Sequence, residues 1–156
     1  MKWLFIGPRL LAGIGQVTNR YAELLRAQGH YTEYVEFGQT PKHPRYDRGF
    51  AFVLPIQNQL DIVDQYAIMC NDMMYMTICE TEPVNPAYGL LAKYGTLYVA
   101  SDFCKNVFSK QFPNINWKVL HLFASAPPTI SKQIQGPYIF YTIGNIMDPR
   151  KNIRGL

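Results

Sequence analysis

Short apolar runs alternate with amphipathic stretches along most of the chain, and the lengths suit buried strands joined by helices. Lys2 to Gly7 (K-W-L-F-I-G) predicts a buried strand at the very start, and Pro8 to Gln16 a loop. Val17 to Gln28 carries Val17, Tyr21, Leu24 and Leu25 on one helical face, with Gly29 at the position of a C-terminal glycine stop. Tyr31 to Phe37 alternates as a second strand, and Phe50 to Leu54, stopped by Pro55, predicts a third. Between them Gln39 to Gly49 is a polar, proline-bearing connection. Gln59 to Cys70 places Leu60, Val63, Tyr66 and Ala67 in helical register before Asn71-Asp72 turns the chain.

The alternation is cleanest from Thr77 to Phe108. An apolar run, Tyr75 to Cys79, ends in acidic and turn residues; a helical patch, Ala87 to Tyr94, leads to a further run, Thr96 to Ala100. Ser101-Asp102 then gives an N-cap signal, and Phe103, Val107 and Phe108 repeat at helical spacing. Pro113-Asn114 ends that helix, and Trp117 to Phe123 predicts another strand. The expected class is α/β: a Rossmann-like open, mostly parallel sheet with helices on both faces. Ser125 to Pro137 is proline-bearing and linker-like, and Tyr138 to Gly144 restarts the strand pattern. The expected organisation is thus a domain over 1–124, a linker over 125–137 and the opening of a second domain over 138–156.

At 156 residues, 48% hydrophobic and 17% charged, the chain has the composition of a folded domain with a real core. The net charge of +4 is scattered, without a Lys/Arg block, so no nucleic-acid partner is expected. Cys70, Cys79 and Cys104 are widely spaced, with no C-x-x-C, which argues against a zinc site or a disulfide framework and fits a reducing compartment. The first apolar run is too short for a leader or a spanning helix, so the expectation is a cytoplasmic chain without a transmembrane segment. Lys42, His43, Arg45 and Arg48 concentrate basic charge locally. A solvated loop is the plain reading, and an acceptor or anionic-lipid contact, peripheral at a membrane, the sharper one. Asp61 and Asp64 are spaced for a helix surface without partner ligands, so no metal site is expected. The Met69 to Met76 methionines read as core gap-fillers, and His121 as an interior or strand-end histidine.

Gly13-x-Gly15 lies between the first strand and the first helix, where glycines let backbone amides approach a phosphate or sugar. The dinucleotide fingerprint needs a glycine where Thr18 stands, so NAD is excluded and simple turn geometry remains the alternative.

The segments Glu80-Thr81 followed by Pro83, and Tyr98 to Phe103 (Y-V-A-S-D-F), resemble the middle of the N-terminal domain of family-4-like glycosyltransferases, enzymes with the two-Rossmann-domain architecture called GT-B. Cys79 stands where that family usually has tryptophan, Gly95-Thr96 where an aspartate is usual, and Ala100 where proline is usual. Leu25 to His30 (L-R-A-Q-G-H) matches the family's first-helix ending, and Tyr138 to Asn152 resembles the opening of its donor-binding domain through Arg150-Lys151-Asn152. Val119 to Ala124 departs from the family pattern at the interdomain turn, and Asn145 replaces an arginine many members carry.

The resemblance implies a retaining transferase that moves a hexose from a nucleotide-sugar donor to a glycan or lipid-linked acceptor, with no metal and no cofactor beyond the donor itself. It implies substrate contacts at Gly13, Ile14, Gly15, Thr81 and Ser101, and donor-phosphate contacts at Arg150 and Lys151, where cations would offset charge on the leaving diphosphate. Glu80 is the candidate catalytic carboxylate, orienting acceptor or donor sugar from a strand end; a surface glutamate is its plain alternative. Because 138–156 holds barely one strand of a donor domain, the chain is expected to be a fragment or split half, inactive alone and completed by a C-terminal domain or partner chain. A non-catalytic Rossmann-like binding module for a partner chain or an anionic ligand is the alternative.

Overall fold

The computed structural model describes residues 1–10, 13–79 and 82–122. Among them six strands form one sheet: β1 (Lys2–Gly7), β2 (Tyr31–Glu36), β3 (Arg48–Phe52), β4 (Met73–Thr77), β5 (Thr96–Val99) and β6 (Asn116–Val119). Three α-helices connect them, α1 (Gly13–Ala27), α2 (Gln57–Ala67) and α3 (Asp102–Gln111), with a 3-10 helix over Pro86–Tyr94. Every pairing is parallel, and the strand order is β2-β1-β3-β4-β5-β6. The α/β expectation is met, with an all-parallel sheet. The expected linker and second-domain opening lie outside the described residues.

The order dictates where the helices lie. From β1 the chain steps outward to β2 through α1, then returns past β1 and steps the other way from β3 to β6. Right-handed crossovers in opposite directions place their helices on opposite faces. Alternating side chains of each strand accordingly feed two cores. Trp3, Phe5, Phe50, Phe52 and Met76 pack with Tyr21 and Ala22 of α1. Leu4, Ile6, Ala51 and Val53 pack with Leu60 and Val63 of α2 and with Val107 and Phe108 of α3. β1 is buried on both faces, which is why its sequence reads as a continuous apolar run.

Local chemistry sets the helix ends. Ser101 is extended and accepts the Cys104 N–H at 3.2 Å, capping α3 as the sequence predicts. Gly29 takes φ +84°, while its N–H donates to Arg26 O at 3.0 Å and that of His30 to Leu25 O at 3.1 Å. This paired arrangement closes α1, and only glycine adopts the required φ without strain.

The buried face of α1 is Gly15, Thr18, Tyr21 and Ala22, whereas Leu24 is 45% exposed. The expected stripe through Leu24 is displaced because small side chains let α1 sit close on β1. Phe103 likewise faces outward, and Cys104 takes the buried place beside Val107 and Phe108. β6 ends at Val119, and His121 is exposed, its carbonyl accepting the Tyr21 hydroxyl at 2.8 Å. The gap-filling reading holds for Met76, which is fully buried, and for Met73, which with Cys70 fills the space left at Gly49.

Candidate functional site

The strand order reverses direction between β1 and β3, and in open parallel sheets the crevice beyond the carboxyl ends of such a pair is where ligands bind. Here a cleft of about 240 Å³ opens at this point. Its walls are Pro8 after β1, Gly13 and Ile14 from the start of α1, Phe37 after β2, Phe52 and Leu54 at the end of β3, and Gln59 from the first turns of α2. The walls are mostly apolar, and none of these residues is titratable.

The two glycines of the loop have different jobs. A Cβ on Gly15 would fall 2.9 Å from the Pro8 carbonyl oxygen and closer still to the Arg9 carbonyl, so the loop's own backbone occupies that space. Gly15 is therefore a packing residue. Gly13 is exposed, and a Cβ there would meet nothing within 4 Å. Ile14 is half-buried against the α1-side core and lines the cleft, while its carbonyl accepts the Thr18 hydroxyl at 2.9 Å. Thr18, which stands where the dinucleotide fingerprint needs glycine, is wholly buried against the strand.

Tyr34 was not singled out by its sequence, yet it holds the loop. Its hydroxyl donates to the Pro8 carbonyl, and a Cβ on Gly7 would come within 2.6 Å of it. Burial and the nearby Glu36 carboxylate push the phenol from 10.0 up to about 12. Only the β1–β2 register, which sets Ile6 opposite Val35 and Gly7 opposite Glu36, brings these groups together.

Ser101 stands beyond β5, two strands from β3, and its side-chain oxygen is used in capping α3. Glu80, Thr81, Arg150 and Lys151 lie outside the described residues. The structure thus brings Gly13 and Ile14 to one cleft, sets Gly15 behind it and leaves Ser101 apart. Gln59 joins the cleft from the first turn of α2, which runs over Gln57–Ala67 where the sequence pattern suggests Gln59 to Cys70.

The basic loop lies elsewhere. Arg48 sits 5.7 Å over the Trp3 ring and 3.8 Å from Asp72, at the amino ends of the strands. The His43 ring packs edge-on against Tyr31 at 5.0 Å and near Tyr46 at 6.0 Å, and Arg45 donates to Ile68 O at 3.1 Å. The buried Glu33 carboxylate anchors this loop by accepting from the Tyr46 hydroxyl and from Lys42 N–H at 2.8 Å. Arg45 and Arg48 make these contacts at the amino ends of the strands, and with Lys42 they stay exposed, in keeping with the plain reading of a solvated loop.

No family model, curated protein or solved structure matches this chain. The fold and the cleft therefore carry the functional argument. Among the described residues no group of three His, Cys, Asp or Glu side chains is placed to hold a metal, and no helix is long and apolar enough to cross a membrane.

Buried acids give a pH signature for the fold. Desolvation raises the Cys70 thiol from 9.0 to about 11 and, with nearby carboxylates and Cys70 adding to it, the Tyr75 phenol from 10.0 to about 12. Burial and the neighbouring Cys104 also push the Cys79 thiol upward. The folded chain then holds protons that the unfolded chain has already released, so stability falls as pH rises. Full stability is expected below pH 9, with a progressive loss between pH 9 and 12 that includes Tyr34. Urea midpoints measured across that range check it; a flat profile up to pH 12 would contradict the burial of these groups.

Proposed function

We propose that this chain contributes the acceptor-side domain of a nucleotide-sugar-dependent glycosyltransferase that transfers a hexose to a glycan or lipid-linked acceptor, with retention of configuration. The observation that supports it is the cleft at the carboxyl ends of β1 and β3, entered by the glycine-bearing start of α1. In this reading Gly13 and Ile14 border the acceptor, Glu80 orients a sugar, and Arg150 with Lys151 contacts the donor diphosphate. Thr81 and Ser101 are further substrate contacts, although capping already occupies the Ser101 oxygen.

The test is ligand-observed saturation-transfer NMR with neutral glycosides, oligosaccharides and nucleotide sugars. Carbohydrates are expected to receive saturation from the protein. A chain that takes up no carbohydrate, while binding simple anions or another protein, would be the Rossmann-like binding module instead.

A further inference from the structure

The chemistry of the cleft walls narrows what it can hold. Pro8, Ile14, Phe37, Phe52 and Leu54 offer apolar surface, and Gln59 offers one neutral amide. No cation is among the described residues that line it, and an anion buried without a cationic or hydrogen-bonded partner is strongly disfavoured. Size narrows it further. An apolar cavity of about 150 Å³ takes one benzene ring, whereas drug-sized ligands occupy about 300–1,000 Å³. At about 240 Å³ the cleft has room for a single ring with its linking atoms.

We propose that this cleft binds an aromatic ring carried by an uncharged acceptor, with the Gln59 amide hydrogen-bonding a hydroxyl at its mouth. The inference rests on the glycosyltransferase reading for the word acceptor; the preference for a neutral ring over a phosphate rests on the walls alone. Phe37 and Phe52 supply ring contacts, where offset or edge-on packing adds to simple burial. Gly13 lines the cleft, and a Cβ there would meet nothing within 4 Å, so the site has room for a larger side chain beside the cleft.

The experiment compares phenyl β-glucoside, methyl β-glucoside, phenol and inorganic pyrophosphate by NMR titration of the 156-residue chain, with a Gly13→Leu variant beside it. Phenyl β-glucoside is expected to bind at least about tenfold more tightly than methyl β-glucoside, as burial of one ring would give. Gly13→Leu should abolish that advantage while melting at or above the parent temperature, since leucine favours a helix over glycine. If the two glucosides bind equally, or pyrophosphate displaces them from the cleft, the ring proposal is overturned while a carbohydrate function survives. If phenol binds and neither glucoside does, the ring site stands and the glycosyltransferase reading falls. Absence of binding by every ring-bearing ligand overturns the proposal outright.

Discussion

Replacing Phe108 with alanine is expected to cost about 3–5 kcal/mol of folding stability, the range for truncating a fully buried phenylalanine. Phe108 has no exposed surface and lies stacked on Trp117 with ring centroids 4.4 Å apart. Tyr88 packs on it at 5.0 Å and Phe112 at 6.4 Å. One ring therefore joins α3, β6 and the 3-10 helix, and surrounding side chains held by their own hydrogen bonds, such as Trp117 Nε1–H to Phe112 O at 3.0 Å, cannot close the hole. Against a typical net stability of about 5–15 kcal/mol, such a loss is severe. Phe103→Ala is the control: its ring is 54% exposed, so a change within about 0.5 kcal/mol is expected. Urea unfolding of the two variants decides the matter, and similar losses would mean that α3 is rotated from the face described.

Gly15→Ala is expected to destabilise by about 1–3 kcal/mol, while Gly13→Ala stabilises by about 0.4–1 kcal/mol. The two positions are two residues apart in one helix, so intrinsic helix propensity favours alanine at both. The difference arises from space. At Gly15 the new methyl group meets the backbone carbonyls of Pro8 and Arg9, which can give way only if the loop over the cleft moves; at Gly13 it meets nothing. Thermal melts of the pair should shift in opposite directions. Parallel shifts would show that the loop does not press on α1.

These contrasts mark what is legible in the sequence. The strands are, because a sheet buried on both faces requires continuous apolar runs such as Trp3–Ile6 and Phe50–Val53. The helix stops at Gly29 and starts at Ser101 are legible as well, since single side-chain types carry that geometry. The beginning of α1 is not, because Gly13 to Gln16 has no apolar period and its helical turn is set by packing against Pro8 and Arg9. Nor is the buried face of α1, where Thr18 and Ala22 are selected by close approach rather than by hydrophobicity.

The cleft is legible in part. A glycine-bearing loop after the first strand points to Gly13 and Ile14, but Phe37, Leu54 and Gln59 join them only through the strand order, which no local pattern states. Tyr34 escapes for the same reason, because its contact with Pro8 depends on β1–β2 register. The basic loop misleads in the opposite sense. Its basic residues are close in sequence, yet folding sends Arg48 to Trp3 and Asp72, Arg45 to Ile68 and the His43 ring to a pair of tyrosine rings, at the far end of the strands.

The most direct test is where a sugar touches the chain. Amide NMR spectra recorded with rising methyl β-glucoside should show shifts concentrated at Gly13, Ile14 and Gln59, at the carboxyl ends of β1 and β3. Shifts confined to the amino ends, around Tyr31, His43 and Arg48, or no response to any neutral glycoside, would contradict a carbohydrate acceptor site in this cleft.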